Sequence, residues 1–335
     1  MTILVTGAAG FIGFHVCQRL LADGHQVIGL DNLNDYYSVD LKQARLAHLT
    51  PQPHFQFYKI DLADQAAIDG LFARHAFTKI IHLAAQAGVR YSLQNPHSYI
   101  SSNLVGFFHV IEAARANHVG HFVFASTSSV YGSNTHMPFS TSDNTDHPVS
   151  LYAATKKSNE AIAHSYAFMH GLPVTGLRFF TVYGPWGRPD MAYFLFTDAI
   201  AKGQPLTLFD QGLLRRDFTY IDDIVEGIVR IAQQPPSANQ DYDRSHPDPA
   251  TSSAPYRVLN IGNHTPVPVK DLVALLEEAL GKQAQIVHAP MQKGDVEATF
   301  ADVDPLTQLT GFKPQTPLAI GIRNFVSWYQ AYYKI

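Results

Sequence analysis

The stretch TGAAGFIG, Thr6–Gly13, decides the fold of this chain of 335 residues. It follows a short apolar run, Thr2–Val5, and its last residues begin a helix-like stretch, Phe11–Ala22, that ends before Gly24. A strand, a glycine-rich turn and a helix in this order place backbone N–H groups and the positive end of the helix dipole where a phosphate can bind. The stretch therefore predicts an α/β domain with a nucleotide site close to Gly10.

Three glycines of this stretch have separate physical roles. Gly7 permits the tight turn after the strand, Gly10 lets backbone N–H groups approach a pyrophosphate, and Gly13 allows close packing of the helix on the sheet. The G-x-x-G-x-x-G spacing is one residue longer than the common dinucleotide fingerprint, and such glycines can also be plain turn residues. We also expect Phe11 and Ile12, in the first helical turn, to contact the bound nucleotide.

Short apolar runs alternate with helical stretches through the first half of the chain, and small or polar residues follow the runs. Strands separated by helices imply right-handed crossovers and a parallel sheet. We expect a doubly wound parallel sheet of the Rossmann type, whose ligands bind at the carboxyl ends of the strands. The predicted strands are Thr2–Val5, Gln26–Leu30, Phe55–Ile60, Ile80–Leu83, Phe122–Ala125 and Pro173–Phe180.

Asp31 closes the second predicted strand, 18 residues after Gly13, where a carboxylate can bind the ribose hydroxyls of an adenosine. Its neighbour Asn32 is uncharged, and no Arg or Lys stands beside it to receive a 2′-phosphate, so the sequence favours NAD over NADP. Asp61 and Leu62 follow the third strand and are predicted to flank the adenine. Asp61 is equally well explained as a helix N-cap.

Tyr152 and Lys156 stand at positions i and i+4 of a predicted long helix, about Ser150–His170, and so share one helix face. A Lys ammonium beside the phenol, with oxidised nicotinamide nearby, would lower the pKa of Tyr152 from about 10 and make it a base for a sugar hydroxyl. The run Ser126–Ser129 ends the preceding strand and offers the Thr127 hydroxyl as a bridge to the substrate oxygen. Each feature alone is equally typical of a solvated helix face or a serine-rich turn, but the three in this order favour a catalytic site.

Composition and charge exclude several classes of function. Lys and Arg number 24 against 28 Asp and Glu, a net charge of −4, which gives no broad basic face for nucleic acid and no polybasic membrane anchor. No apolar run approaches the ~18 residues of a membrane span. One cysteine, Cys17, excludes a disulfide framework, and His118 and His121 are the one close pair among 17 scattered histidines, so we expect no metal site. The first strand starts at residue 2, which leaves no room for a signal peptide, and we expect a cytoplasmic protein.

The texture of the chain changes after about residue 180, where turn-rich stretches become frequent. We expect a nucleotide-binding domain over residues 1–180 and a smaller, interleaved α/β substrate domain over residues 181–335. Segments near 217–235 and 257–262 are predicted to return to the first domain, because Val258–Ile261 has the character of a buried strand.

Five motifs resemble those of the extended short-chain dehydrogenase/reductase family, and specifically of its NAD-dependent nucleotide-sugar epimerases. The resemblance covers essentially the whole chain. Two further stretches, LRFFTVYGPWGRPDMA at Leu177–Ala192 and PDPATSSAPYRV at Pro247–Val258, are most similar to the UDP-glucuronate 4-epimerases of this family. The five motifs are TGAAGFIG, HLAAQAGVRYS at His82–Ser92, STSSVYG at Ser126–Gly132, YAATK at Tyr152–Lys156 and RDFTYIDDIV at Arg216–Val225.

The resemblance implies an isomerase that inverts C4 of UDP-glucuronate to give UDP-galacturonate. In this cycle NAD takes a hydride from C4, a 4-keto sugar forms and turns, and the hydride returns to the opposite face. Thr127, Tyr152 and Lys156 would be catalytic, and Asn103 would lie near the active site unless it is only the N-cap of the next helix. The predicted NAD contacts are Gly7, Gly10, Phe11, Ile12, Gly13, Asp31, Asn32, Asp61, Leu62, Leu83, Ala84, Ala85, Asn103, Tyr152 and Lys156.

Glucuronate carries a carboxylate on C5, and the planar fork of a guanidinium suits a carboxylate. By resemblance, Arg188 and Thr181 face the sugar from the loop after the sixth strand, although Arg188 can also be a plain surface arginine. Arg216 would bind the UDP phosphates and Asp295 a ribose hydroxyl, but an Arg that precedes this Asp in some relatives has no counterpart here. The predicted substrate contacts are Arg90, Ser126, Thr127, Thr181, Arg188, Arg216 and Asp295.

Four other functions stay open from the sequence. A 4-epimerase of a neutral UDP-hexose would share the fold and the catalytic residues. Decarboxylases of the family carry an acid where Ser129 stands and dehydratases an Asp-Glu pair where Ser128 and Ser129 stand, so both are less favoured. A module that retains NAD for binding or regulation is disfavoured by the intact catalytic set.

A homodimer is expected by analogy alone. In relatives, helices that correspond to about Tyr99–Asn117 and Ser150–His170 pair in a four-helix bundle. The apolar residues Val105, Phe107–Phe108 and Ile111 are compatible with this interface, but they could equally face the core of their own chain.

Overall fold

Strands and helices alternate along the chain in a computed structural model, which describes residues 1–291 and 297–335. The strands are β1 Thr2–Thr6, β2 Gln26–Asp31, β3 Phe55–Lys59, β4 Lys79–His82, β5 Phe122–Thr127, β6 Val174–Phe179, β7 Thr181–Tyr183, β8 Pro205–Phe209, β9 Arg215–Tyr220, β10 Tyr256–Ile261, β11 Pro266–Pro268, β12 Gln285–Ala289 and β13 Ala298–Thr299. The α-helices are α1 Phe11–Ala22, α2 Val39–Leu49, α3 Gln65–Arg74, α4 Tyr91–Gln94, α5 Pro96–Tyr99, α6 Gly106–Ala116, α7 Leu151–His170, α8 Ala192–Lys202, α9 Ile221–Ala232, α10 Val269–Leu280, α11 Asp304–Thr310 and α12 Leu318–Tyr333.

The larger sheet has seven parallel strands in the spatial order β10-β6-β5-β4-β1-β2-β3. From β1 the chain builds outward to β3, then crosses back to β4 and builds in the other direction through β5 and β6. This reversal confirms the doubly wound fold. It also opens a crevice beyond the carboxyl ends of β1 and β4, where such sheets bind their ligands.

Helices cover both faces of the large sheet, so its strands carry apolar side chains on both sides. Val5 and Val27 pack with residues of α1 and α9 on one face, while Leu4 and Ile28 pack with residues of α3 and α6 on the other. These side chains are buried, and each contributes about 1.5–3 kcal/mol of hydrophobic stabilisation relative to an exposed position. The core therefore holds the strand ends, and the loops that follow them, in fixed positions.

The chain leaves the large sheet between Phe179, the last residue of β6, and Thr181, the first residue of β7. The strand predicted over Pro173–Phe180 corresponds to β6, and the next strand, β7, pairs with β9 in a small sheet that also contains β11 and β13. Strand β10 overlaps the predicted segment 257–262 and lies in the large sheet. In the predicted segment 217–235, helix α9 packs against α1, and strand β9 belongs to the small sheet.

Local capping explains where the central helix begins and ends. Ser150 caps α7 by accepting a hydrogen bond from the N–H of Ala153 (3.1 Å), and Gly171 ends the helix with φ +67°. The helix predicted over Tyr99–Asn117 is interrupted, since residues Ile100–Val105 form a π-helical turn before α6.

Candidate active site

A cleft of about 440 Å³ opens at the carboxyl ends of β1, β2, β4 and β5, beside the first turns of α7 and the start of β7. It brings together most of the residues that the sequence predicts for cofactor, catalysis and sugar. Those that line it are Gly7, Gly10, Phe11, Ile12, Gly13, Asp31, Asn32, Asp61, Leu62, Leu83, Ala84, Ala85, Ser126, Thr127, Tyr152, Lys156, Thr181 and Arg188.

Glycine is required in the phosphate loop because backbone segments approach each other too closely for a side chain. Gly7 has φ +74°, and a Cβ there would lie 2.9 Å from the backbone nitrogen of Ala84. A Cβ on Gly13 would lie 2.0 Å from the Gly7 carbonyl oxygen, so glycine at this position allows the close helix packing that its spacing predicts. Gly10 caps α1 and lines the cleft, and the loop at the start of this helix therefore fits a pyrophosphate.

Asp31 is buried at the end of β2 and lines the cleft beside the phosphate loop. Its carboxylate accepts hydrogen bonds from the N–H groups of Ala9 (3.2 Å) and Leu33 (2.8 Å). Burial raises the pKa of Asp31, while these N–H groups and the charge of Lys42 act in the opposite direction. A fixed carboxylate at the end of the second strand suits an adenosine ribose, so this part of the cleft fits NAD.

Asp61 has a local partner in the cleft. Its Oδ2 accepts a hydrogen bond from the Asn32 side-chain amide (3.0 Å), and its Oδ1 accepts one from the N–H of Ala63 (2.9 Å). The helix N-cap that could have explained Asp61 is Asp64, which accepts a hydrogen bond from the N–H of Ala67 (3.0 Å). The capping alternative for Asp61 is therefore wrong.

Lys42 of α2 also lines the cleft, although no motif predicts it. Its Nζ donates to the carbonyl oxygen (2.6 Å) and the side-chain oxygen (2.8 Å) of Asn34. Burial lowers the pKa of Lys42, against the opposing charge of Asp31. No Arg or Lys is adjacent to Asp31 in the sequence, whereas the fold places Lys42, from the following helix, near its carboxylate.

A second unpredicted cation, Arg45 of α2, forms a hydrogen bond to the backbone of the phosphate loop. The guanidinium is fully buried, and it donates to the carbonyl oxygens of Ala9 (2.8 Å), Trp186 (2.6 Å) and Gly187 (3.1 Å). These bonds join the phosphate loop to the loop that follows β7, which carries Arg188. Two walls of the cleft are therefore tied together by one side chain.

Tyr152 and Lys156 lie on α7 as predicted, and both line the cleft. Lys156 Nζ donates to the carbonyl oxygen of Ala125 (3.0 Å), and burial lowers the pKa of Lys156 to about 8. Burial raises the pKa of Tyr152; the influences that lower it are the charge of Arg188 and then the Thr127 hydroxyl. Arg188 is therefore a second cation that acts on Tyr152, and the predicted action of Lys156 beside bound NAD stays a prediction.

Ser126 lines the cleft, and its hydroxyl has a partner within the protein. Its hydroxyl donates to Glu160 Oε1 (2.6 Å), and Arg178 holds the same carboxylate through two hydrogen bonds of 2.9 Å. The pair of Glu160 and Arg178 is buried directly behind the end of β5. This arrangement fixes the backbone that presents Thr127 to the cleft.

Arg188 lies in the loop after β7 and is held by a carboxylate two residues further on. Its Nε donates to Asp190 Oδ1 (3.0 Å) and its Nη2 to Asp190 Oδ2 (2.5 Å). Tyr36, from the loop after β2, donates its phenolic hydrogen to the same Oδ2 (2.9 Å). Tyr36 lies outside the quoted motifs and Asp190 lies within the stretch Leu177–Ala192, but their contact joins segments far apart in the chain and is not visible in the sequence.

Four predicted site residues do not line the cleft or lie outside the described residues. Arg90 is exposed and lies over the ring of Phe209, at 5.8 Å from its centroid. Asn103 is buried behind the cleft wall, where its side chain bonds the N–H (2.8 Å) and carbonyl (3.0 Å) of Gln86. Arg216 lies on β9 in the small sheet, and Asp295 falls outside the described residues.

Within residues 1–291 and 297–335, no group of three or more His, Cys, Asp or Glu side chains is arranged to hold a metal ion. His121, one of the close pair, instead bonds the Thr175 hydroxyl (2.9 Å) and the Ala232 carbonyl (3.2 Å). Over the same described residues, no helix combines the length and the apolar character needed to cross a membrane.

The sequence model of the NAD-dependent epimerase/dehydratase family matches residues 3–243, which is most of the chain. The chain belongs to this family. The family assignment confirms the predicted resemblance, and the cofactor is NAD, for which the phosphate loop and Asp31 provide the fitting groups.

Relatives within the family include proteins with named substrates. A probable UDP-glucuronate 4-epimerase of Rhizobium meliloti is 49% identical over 338 residues, covering 100% of this chain and 98% of the relative. The crystal structure of a UDP-glucuronic acid 4-epimerase from Bacillus cereus, in complex with UDP-glucuronic acid and NAD, is 31% identical, with a TM-score of 0.86 over 99% of this chain and 100% of the other.

Overall similarity does not by itself select the sugar within the epimerase/dehydratase family. A UDP-glucose 4-epimerase of Thermotoga maritima, crystallised with UDP-glucose, has a TM-score of 0.85 at 29% identity, over 99% of this chain and 100% of the other. Structures crystallised with an acidic and with a neutral sugar thus match this fold equally well. The residues around the sugar must decide between them.

Proposed function

We propose that this protein is an NAD-dependent isomerase that interconverts UDP-glucuronate and UDP-galacturonate by inverting C4. The observation that carries the proposal is the convergence of Thr127, Tyr152 and Arg188 in one cleft beside the phosphate loop, with the charge of Arg188 acting on the Tyr152 phenol. A base and a carboxylate-binding cation in the same site suit a sugar acid that reacts at C4, the carbon next to the one that bears the carboxylate.

The catalytic residues of this chain handle the proton of the C4 hydroxyl. The ionised Tyr152 phenolate takes that proton, and the Thr127 hydroxyl, next to the phenol, holds the same sugar oxygen in line with it. The phosphate loop and Asp31 would hold NAD, which would supply the hydride acceptor, and later the hydride donor, for C4. Lys156 uses one N–H on the Ala125 carbonyl, and its other N–H donors suit cofactor hydroxyls.

Arg188 supports the acidic sugar over a neutral one. A charge-assisted bidentate bond to a carboxylate is stronger and more directional than a bond to a neutral hydroxymethyl group. Because the guanidinium lies in the cleft close enough to influence Tyr152, it can hold the C5 carboxylate while C4 reacts. We propose that Thr181, at the start of β7, also contacts the sugar, through its hydroxyl.

We propose Arg216 and Asp295 as contacts to the UDP part of the substrate, which stays anchored while the sugar turns. Arg216 lies on β9, and β13 pairs with β9 next to it. Asp295 precedes β13 in the chain but lies outside the described residues. An Arg216→Ala variant is expected to weaken binding of UDP itself, measured by calorimetry.

Decarboxylation of the same substrate is the leading alternative, since a 4-keto glucuronate is a β-keto acid. Ser129 occupies the position of the acid found in such decarboxylases, and its N–H donates to Thr127 Oγ1 (3.2 Å). The position therefore supplies a hydroxyl and a turn-forming N–H in place of a carboxylic acid.

One experiment separates these functions. Purified protein is incubated with UDP-glucuronate without added NAD, and the products are resolved by NMR, with a Tyr152→Phe variant as control. We expect UDP-galacturonate and no net NADH. UDP-xylose or a 4-keto pentose would assign the protein to the decarboxylases, and full turnover by Tyr152→Phe would contradict the catalytic role of the phenol.

We propose a homodimer that pairs the π-helical turn, α6 and α7 of two copies. Val105 and Phe108 are 40% and 45% exposed, whereas Phe107 and Ile111 are buried in the core of their own chain. Exposed Met169, near the end of α7, extends the apolar surface. Light scattering at low concentration should give twice the monomer mass, and a Phe108→Glu variant should reduce it.

We also propose a cytoplasmic location, in keeping with a single thiol, Cys17, that is free and buried. Cell fractionation tests this location, and recovery of the protein outside the cytoplasm would contradict it.

A further inference from the structure

We propose that Asp190 is a positioning residue that holds the Arg188 guanidinium in the orientation needed to receive the sugar carboxylate. The inference rests on the proposed function, because it assigns the device that gives this site its selectivity for an acidic sugar. The juxtaposition that carries it is the chain of contacts from Tyr36 through Asp190 to Arg188.

The geometry divides the guanidinium into a held edge and an offered edge. Asp190 takes the Nε and Nη2 edge through two hydrogen bonds, of 3.0 Å and 2.5 Å. A planar guanidinium has five N–H donors in a fixed fork, so the edge formed by Nη1 and the second N–H of Nη2 faces away from Asp190. Arg188 lines the cleft, while Asp190 is not among the described residues that line it. The carboxylate thus stands behind the guanidinium rather than between it and the substrate.

Tyr36, in the loop after β2, holds Asp190 through a hydrogen bond. Its hydroxyl donates to the same Oδ2 that accepts from Arg188 Nη2, at 2.9 Å. The phenol reaches this position by passing close to Gly88, where a Cβ would lie 2.5 Å from the Tyr36 oxygen. The loop after β2, which follows Asp31, is therefore joined by a hydrogen bond to the loop that carries Arg188.

Holding the guanidinium matters because an unheld arginine side chain has several rotamers, and most would not face the sugar. Burial acts to raise the pKa of Asp190, but the charge and hydrogen bonds of Arg188 and the hydrogen bond from Tyr36 outweigh it and keep the carboxyl ionised at neutral pH. Asp190 therefore stabilises the cation in the cleft before substrate arrives, and the ordering of Arg188 is completed in the free protein.

Binding in the NAD-loaded protein tests the inference without relying on turnover. Affinities for UDP-glucuronate, UDP-glucose and UDP are measured by calorimetry for the parent, Asp190→Ala, Asp190→Asn and Tyr36→Phe. Asp23→Ala is the matched control, because Asp23 also holds an arginine, Arg19, through two hydrogen bonds but lies at the other end of α1 from the phosphate loop.

We expect Asp190→Ala to reduce the affinity ratio of UDP-glucuronate over UDP-glucose at least tenfold, with UDP affinity unchanged within twofold. Asp190→Asn accepts only one of the two N–H groups and should lose about threefold, and Tyr36→Phe should lose about twofold in the same direction. Asp23→Ala should change none of the three affinities.

Three results with the Asp190→Ala variant would overturn the inference while the proposed function stands. An unchanged ratio in Asp190→Ala would show that Arg188 orients itself, and equal weakening of all three ligands would show a general structural role. A higher ratio would show that Asp190 competes with the substrate carboxylate. If the parent itself does not discriminate between the two sugars, the carboxylate role of Arg188 fails, and the inference fails with it; discrimination retained in Asp190→Ala sinks the inference alone.

Discussion

The phosphate loop, Thr6–Gly13, and the loop 184–191 after β7 line the same cleft but are built in different ways. The phosphate loop is shaped by backbone contacts, such as the N–H of Gly7 on the carbonyl of Leu30 (2.7 Å), and by glycines that leave no room for a side chain. The second loop depends on a side-chain pair, Arg188 and Asp190, joined by Tyr36 from 154 residues away in sequence. A site made by backbone requires residues at fixed spacing, whereas a site made by side chains requires only that the fold bring them together.

The largest expected effect is at Tyr152, which both halves of the cleft share. Tyr152→Phe removes the group that exchanges the proton and should reduce kcat by roughly 10²–10⁴-fold, the usual contribution of a general base. Bound NAD and UDP-glucuronate affinity should be retained, because the ring stays in place. Turnover is measured by NMR, and the bound NAD is measured after it is released by denaturation. Loss of NAD together with activity would show that the phenol belongs to the cofactor half instead.

The next effect is confined to the sugar half. Arg188→Ala removes a charge-assisted bidentate contact worth about 1.5–3 kcal/mol, so KM for UDP-glucuronate should rise roughly 10- to 100-fold. NAD content should not change, and Arg188→Lys should not restore the parent value, because an ammonium lacks the planar fork. Affinity for UDP-glucose serves as the internal control. Unchanged affinity for UDP-glucuronate would remove the distinction between the two loops.

The matching change in the cofactor half acts through packing. The Cβ of Gly13→Ala would lie 2.0 Å from the Gly7 carbonyl oxygen, and the displacement should cost about 1–3 kcal/mol of stability and reduce bound NAD. Gly70→Ala is the control, since that glycine lies in α3, where the nearest heavy atom to a new Cβ is 3.7 Å away on the Arg74 side chain. Helix propensity should make the control slightly more stable. Equal behaviour of the two variants in thermal unfolding would contradict the backbone account of the loop.

The same difference explains what the sequence could predict. The doubly wound parallel sheet and the position of α7 follow from periodicity and motif spacing, and helix α1 has the predicted bounds, Phe11–Ala22. The roles of Lys42 and Arg45 could not be predicted from motifs, because their partners are backbone carbonyl oxygens of other segments. Strand β7, Thr181–Tyr183, could not be found either, since the sequence does not show that the chain changes from the large sheet to the small one after Phe179.

The smallest effect concerns Lys156, whose ammonium is buried and donates to the Ala125 carbonyl. Burial lowers the pKa of Lys156 to about 8 from 10.5, so the folded state loses its proton at lower pH than the unfolded state does. Between about pH 8 and 10.5 the unfolded chain binds more protons, and the free energy of unfolding of the NAD-free protein should therefore rise with pH in this window. Lys156→Met, which fills similar space without a charge, should lack this rise. The difference between the two unfolding curves isolates the lysine from the tyrosines that titrate in the same range. A parent curve that runs parallel to the variant from pH 7 to 10.5 would show that the pKa of Lys156 is not lowered in the folded state, and would contradict its desolvation by burial.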